Sequence, residues 1–194
     1  SPPPSRSKVP ERNVDLLLKT IENIYQIGDL DTLLNRILFE ARHFVNADAG
    51  TLYLKEGDRL YFSYVHNDSL FKEETSERRY LYSSQSLPVD RSSLAGYVAE
   101  TGEPLLIDDV YDIVSKVNYS FNPEFDRKSS YRTKSMLIVP LITQSRTIEG
   151  VLQLINAKDC EGNLISFSGA DRLYIIQFAH NAAAAIEKAK LNRE

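Results

Sequence analysis

Residues 122–156 read NPEFDRKSSYRTKSMLIVPLITQSRTIEGVLQLIN, and this stretch decides the fold. A polar loop feeds an apolar strand that runs from Met136 to Ile142 through Pro140. A four-residue polar turn, Thr143 to Arg146, leads into a second apolar strand over Thr147–Asn156. That strand is interrupted by Glu149, Gly150 and Gln153. A polar group set dry and unpaired into a hydrophobic wall costs roughly 1–3 kcal/mol, so each of these needs a partner. A cavity holding a polar small molecule would supply one for Gln153, which alternates with Val151 and Ile155 on one strand face.

Outward from this pair the pattern alternates between helix and strand. Upstream, Leu105–Ile107 predicts a brief strand, and residues 108–134 carry no clean period. A connection that long inside a compact domain is usually functional or disordered. Its aromatics, Tyr111, Tyr119, Phe121, Phe125 and Tyr131, argue for a folded lid with a helical turn or two. Before the lid, Ser92-Ser93 offers a cap to a short helix beginning Leu94-Ala95 and stopping at Gly102, with Pro104 just beyond. Further back, Thr51–Lys55 and Leu60–Val65 flank a Gly-containing turn and predict a hairpin. Residues 67–79 read as an exposed connection and Tyr80–Val89 as a kinked strand.

Helices bracket these strands. Asn13 caps a helix with Leu17, Ile21 and Ile24 at helical spacing, and Asp29 or Asp31 caps a second, striped by Leu33, Leu34, Ile37, Leu38, Ala41 and Val45. Ser168, with Asp171 three residues on, caps a long last helix whose predicted apolar face is Leu173, Ile176, Ala179, Ala183 and Ile186. The fold class is therefore α+β, a largely antiparallel sheet with helices on one face. Residues 1–12, rich in Pro and Ser, read as a disordered lead-in, 13–28 as a linker or signalling helix, and 29–194 as the domain proper.

Composition narrows the function classes. The chain has 194 residues, room for one well-filled core, and a net charge of -4 from 23 basic and 27 acidic residues. Both signs are dispersed with no basic stripe, which argues against nucleic-acid binding. No apolar run approaches the ~20 residues of a membrane span, and no leader-like segment opens the chain. A single cysteine, Cys160 in a polar turn, fits a reducing, cytoplasmic setting. His43, His66 and His180 stand too far apart to suggest a metal site. There is no nucleophile elbow, phosphate-binding loop or dinucleotide fingerprint, and the Asp108-Asp109 pair splays apart on an extended chain. Nothing in the sequence argues for catalysis.

The run from Phe125-Asp126 through Ser129-Ser130-Tyr131-Arg132-Thr133-Lys134-Ser135-Met136-Leu137 to Val139-Pro140 resembles the signature of GAF domains. Ile148-x-Gly150-Val151-Leu152-Gln153-Leu154-Ile155-Asn156 and Ser93-Leu94-Ala95-Gly96-Tyr97-Val98 extend the likeness, which covers roughly residues 30–186. Within that family the chain resembles GAF domains of cyclic-nucleotide phosphodiesterases, cyanobacterial nucleotide cyclases and bacterial HD-GYP or sensor proteins. That resemblance implies a ligand cavity under a lid, on the sheet face opposite the terminal helices. Carried over position by position, ligand contacts fall on Leu94 and Ala95 (backbone N–H groups), Asp126, Ser129, Thr133 and Gln153. The implied ligand is a cyclic nucleotide or another small polar molecule.

Two departures stand out. Nucleotide-binding members carry Asn-Lys at the end of the last strand and Phe-x-x-x-Asp-Glu at the last helix, where the Lys–Asp pair ties the two. Here the residues are Asn156-Ala157 and Phe167-x-x-x-Asp171-Arg172, so the tie is missing unless Lys158 makes it. The usual Thr-Gly before the aromatic is Ser129-Ser130, which loses glycine's backbone freedom. The expected function is a sensor module of a bacterial signalling protein, relaying ligand binding through its terminal helices to an attached output domain. The alternative is a ligand-free homodimerisation and relay module, suggested by Ala182–Ala185 and the residues after Ile186. Sulfoxide reduction and bilin attachment, known in the family, both need cysteines that this chain lacks.

Overall fold

A computed structural model describes residues 12–70, 85–113 and 117–193. The expected connection at 71–79 and the start of the expected strand at 80–84 lie outside the described residues, as do residues 1–11 of the lead-in. The described residues form helices α1 (Val14–Tyr25), α2 (Leu30–Val45), α3 (Leu94–Thr101), α4 (Glu124–Ser129) and α5 (Gly169–Leu191). The strands are β1 (Ala47–Glu56), β2 (Arg59–Asn67), β3 (Ser86–Pro88), β4 (Leu105–Ile107), β5 (Met136–Ile142), β6 (Ile148–Lys158) and β7 (Leu164–Ile165). The sheet is antiparallel throughout in the order β3-β2-β1-β6-β5-β4, with β7 added beside β6.

The two faces of this sheet are separate cores. Leu52, Leu137, Val139, Leu141, Leu152 and Leu154 point to one side and bury against α2 and α5. The alternate residues Ala49, Tyr53, Met136, Ile138, Val151 and Ile155 point to the other, against α3 and the lid. Strand alternation alone produces this division, because neighbouring side chains leave a pleated strand on opposite faces. α1 lies outside α2 and α5, contacting both through Leu17, Thr20 and Ile24.

The helices stop where their caps dictate. Asn13 Oδ1 accepts from Leu16 N at 2.8 Å, and Asp29 Oδ2 accepts from Thr32 N at 2.9 Å. Ser168 and Asp171 form a reciprocal capping box at the start of α5. The face predicted for α5 needs rotating. Leu173 is 68% exposed, and the buried line is Ile175, Phe178, Ala182, Ile186 and Ala189 with Ala179 and Ala183. Leu173 fits helical spacing to Ile176, but the wide Ala-rich seam of this helix sets the inward direction. Ala182 and Ala183, read from sequence as a surface for a second copy, are instead buried in the domain's own core.

Two β-bulges adjust the sheet. One, between Leu52 and Tyr53 of β1, leaves Ser63 unpaired in β2. The other, between Leu141 and Ile142, leaves Glu149 out of register. It turns Glu149 toward α5, where Lys190 Nζ donates to Glu149 Oε2 at 2.6 Å. One of the polar interruptions in β6 is thus explained by a helix contact, and Gly150 by space: a Cβ there would lie 2.0 Å from the Tyr53 carbonyl oxygen. Only Gln153 is left facing the opposite side.

Candidate functional site

That opposite side holds a cavity of about 300 Å³, at the lower end of the roughly 300–1,000 Å³ usual for small-molecule sites. Its floor is strand: Thr51 and Tyr53 of β1, Gln153 and Ile155 of β6 and Met136 of β5. Thr51 is the register partner of Gln153. Leu94 and Ala95 at the start of α3 form one wall, and lid residues Phe121, Phe125, Asp126, Ser129, Tyr131 and Thr133 form the roof. All six residues singled out from the sequence line this one cavity.

What each can offer differs sharply. Asp126, 7% exposed, accepts from Tyr111 Oη at 2.5 Å, Thr133 N at 2.9 Å and Thr133 Oγ1 at 2.8 Å. Its carboxylate, with the Thr133 hydroxyl, fastens the two arms of the lid to each other. Ser129 Oγ donates to Phe125 O at 2.7 Å and accepts from Tyr131 N at 3.3 Å, closing the turn after α4. Three of the six are therefore lid-building groups whose hydrogen bonds are made within the protein. Arg132 does not pair with Asp126; its guanidinium lies 4.1 Å from the centre of the Tyr111 ring.

The remaining three present chemistry to the cavity. Ser93 caps α3 by accepting from Gly96 N at 3.0 Å, so the hydroxyl serves the third amide of the turn. The N–H groups of Leu94 and Ala95 precede the first intrahelical bond, made by Tyr97 N to Ser93 O, and favour a ligand acceptor or anion. The Gln153 and Thr51 side chains stand beside the Tyr53 phenol at the cavity floor. Burial drives that phenol well above its ordinary range, and these two polar neighbours oppose the shift only in part. The Tyr53 ring packs on Phe62 at 4.7 Å between centroids, giving the floor an aromatic surface beside its polar edge.

The lid is anchored by a buried polar hub that the sequence reading did not single out. Tyr131 Oη donates to Asp48 Oδ2 at 2.8 Å, while Ser69 Oγ and Lys158 Nζ donate to Asp48 Oδ1 at 2.9 and 3.2 Å. Burial pushes the Asp48 carboxyl up, but these three donors outweigh it and hold the group below the usual carboxylate range. Asn156 is in the left-handed region, at φ +57°. It donates to Tyr131 Oη and Arg132 O and accepts from Lys134 N, stapling the lid's last residues to β6. The signal for this hub was the asparagine of the strand-end motif, whose partners only the fold reveals.

The strand-to-helix tie of the family pattern is missing, and Asp171 takes its cation from the N-terminal segment instead. Lys158 pairs with Asp48 and not with Asp171. Asp171 is met by Arg12, whose Nε lies 3.2 Å from Asp171 Oδ1. Arg12, placed by sequence in the lead-in, is fixed, with a side chain only 6% exposed. Ser130, in the glycine position of the family pattern, adopts φ +59°, the left-handed backbone that glycine would take without strain.

A family model described as GAF domain matches residues 29–186, and the chain belongs to that family. Among curated proteins it is 31% identical over 180 residues to the dual 3',5'-cyclic-AMP and -GMP phosphodiesterase 11A of Takifugu rubripes, covering 91% of this chain and 19% of that protein. It is 28% identical over 160 residues to the dual 3',5'-cyclic-AMP and -GMP phosphodiesterase 11 of Drosophila melanogaster, covering 76% of this chain and 10% of that protein. The chain thus spans less than a fifth of either relative's length. In fold it is similar to the GAF domain of a phosphoenolpyruvate-protein phosphotransferase from Coxiella burnetii, with a TM-score of 0.68, 17% identity and coverage of 93% of this chain and 95% of that one.

Proposed function

We propose that this domain is a regulatory sensor that takes a small, planar, polar molecule into the cavity beneath the 108–134 lid. The observation that carries the reading is the division of labour in the cavity wall. The lid's own polar groups are satisfied internally, while Gln153, Thr51 and the α3 amides stand against an aromatic floor. Such a site matches a flat ring system carrying hydrogen-bonding edges and one acceptor or anionic group near Leu94 and Ala95. A cyclic nucleotide has those features, and the similarity to phosphodiesterases named for cyclic AMP and cyclic GMP makes it the first candidate.

In this reading the domain performs no chemistry itself and works in a cytoplasmic protein with an attached output domain. A phosphodiesterase-type output is the one its relatives suggest; a bacterial source, expected from the sequence, is not required. Ligand binding acts by differential affinity for two states of the lid and terminal helices. Calorimetric titration of the domain with cyclic GMP and cyclic AMP tests this. One-to-one binding that Gln153→Leu weakens about ten-fold or more, the value of one good hydrogen bond to a desolvated partner, supports it. Absence of heat from both nucleotides, with no molecule co-purifying on native mass spectrometry, sinks it.

One observation favours a second role alongside the first. α1 exposes Val14, Leu18 and Tyr25 and half-buries Ile21, at the i, i+4, i+7, i+11 spacing of a two-helix seam. This stripe lies on the side of the helix adjoining Leu17, Thr20 and Ile24, which already pack inward, and its Ile21 edge reaches the domain core. We infer a homodimer formed through α1 rather than through the alanine run of α5. Light scattering on the intact chain would show a dimer that Leu18→Glu converts to a monomer; a strict monomer at high concentration would exclude it.

A further inference from the structure

The lid hub and the Arg12 clamp are joined by a chain of largely half-buried polar contacts linked through the Lys158 side chain and the backbone at the end of α2. Starting at the lid, Tyr131 meets Asp48, and Asp48 meets Lys158 Nζ. The Lys158 main chain is bonded twice to Asn46: Asn46 Nδ2 donates to Lys158 O at 2.8 Å, and Lys158 N donates to Asn46 O at 3.0 Å. Asn46 is the left-handed cap of α2, at φ +54°. The two residues before it present their carbonyls to Arg12, whose Nε donates to Phe44 O at 2.8 Å and Nη2 to Val45 O at 2.7 Å. The same guanidinium then rests against Asp171, which caps α5.

Arg12 is well suited to such a junction. A guanidinium is rigid, always charged and able to serve several acceptors at once. Here it neutralises the negative pole at the end of α2 and faces the carboxylate that caps the start of α5. The chain therefore reaches α1 through a residue bonded to the ends of two core helices, one of which continues directly into the cavity floor at β1.

We propose that this contact set couples the lid to the N-terminal segment, so that ordering of the lid over the cavity is felt at Arg12 independently of α5's C-terminal end. The inference rests on the sensor reading above for its biological use, but the coupling is a property of the ligand-free chain and is tested without ligand. Lid ordering and Arg12 seating are mutually supporting, because coupling between two sites is reciprocal.

The test is amide hydrogen exchange on the intact chain, comparing wild type with Arg12→Gln and Tyr131→Phe. Thr133 N and Lys134 N, bonded to Asp126 and Asn156, report the lid, and the first turn of α1 reports the N-terminal segment. Arg12→Gln is expected to speed exchange at 131–134 by about five-fold or more, the lower end of typical coupling between sites. Tyr131→Phe is expected to speed exchange at 14–18 likewise, while amides of the β1–β2 hairpin tip are unchanged. Exchange altered only beside each substitution overturns the proposal. So does an even rise across β5 and β6, which would mark general loss of stability. Failure of nucleotide binding with these exchange changes intact would overturn the sensor reading and leave the coupling standing.

Discussion

Replacing Asp126 by alanine separates two roles for the residue, lid staple and ligand contact. The substitution removes the acceptor for Tyr111 Oη, Thr133 N and Thr133 Oγ1. Tyr111 is 42% exposed and recovers water, so its loss is small. Thr133 is 3% exposed, and its two donors are left dry. At roughly 1–3 kcal/mol for each buried unpaired group, with part of the loss recovered by relaxation of the lid, the total is about 2–5 kcal/mol. Asp126→Asn keeps one acceptor but turns an amide N–H toward a donor, and is expected to cost about half as much. Thermal unfolding followed by circular dichroism reads both, and a midpoint temperature lowered by roughly 10 °C in the alanine variant corresponds to this range. If Asp126→Ala left the unfolding midpoint unchanged while abolishing ligand binding, the staple would be wrong and the carboxylate would belong to the ligand.

Three other consequences follow from single positions. Ser130→Gly relieves a left-handed residue, worth about 1–2 kcal/mol, against a glycine entropy cost of about 0.5–1; a net gain of roughly 0.5–1 kcal/mol in urea unfolding is expected. Gly150→Ala drives a methyl into the Tyr53 backbone across the β1–β6 pair, so loss of about 3 kcal/mol or more, or failure to fold, is expected in the same assay. Burial, reinforced by the Arg42 charge, lowers the His66 pKa from 6.5 to about 4. Between those values the unfolded chain binds more protons, so stability is whole above pH 6.5 and falls as pH drops toward 4. His66→Gln should flatten that limb of the stability–pH curve, and an unchanged slope would show that the ring is not the titrating group.

Most of the architecture was legible because its signals are local. Capping residues Asn13, Ser93 and Ser168 and the alternation in β5 and β6 fixed elements that the fold reproduces. Leu173 misled, because a single residue at helical spacing says nothing of which side the neighbouring helix occupies. The cavity-lining set was legible through family resemblance and through Gln153's place among apolar neighbours. The distinction within that set was not: whether a lid carboxylate faces inward to a ligand or sideways to Thr133 depends on the path of the lid. Arg12 was invisible for a related reason, since its partners at 44, 45 and 171 are brought near only by tertiary packing.

The central claim is met most directly by a two-dimensional NMR titration of the labelled domain with cyclic GMP and cyclic AMP. A sensor cavity gives saturable shifts concentrated at the Leu94 and Ala95 amides and the Gln153 side-chain amide, with Thr133 N moving little because Asp126 already holds it. Spectra that stay fixed at those positions, or move only on the outer faces of α1 and α5, would contradict it.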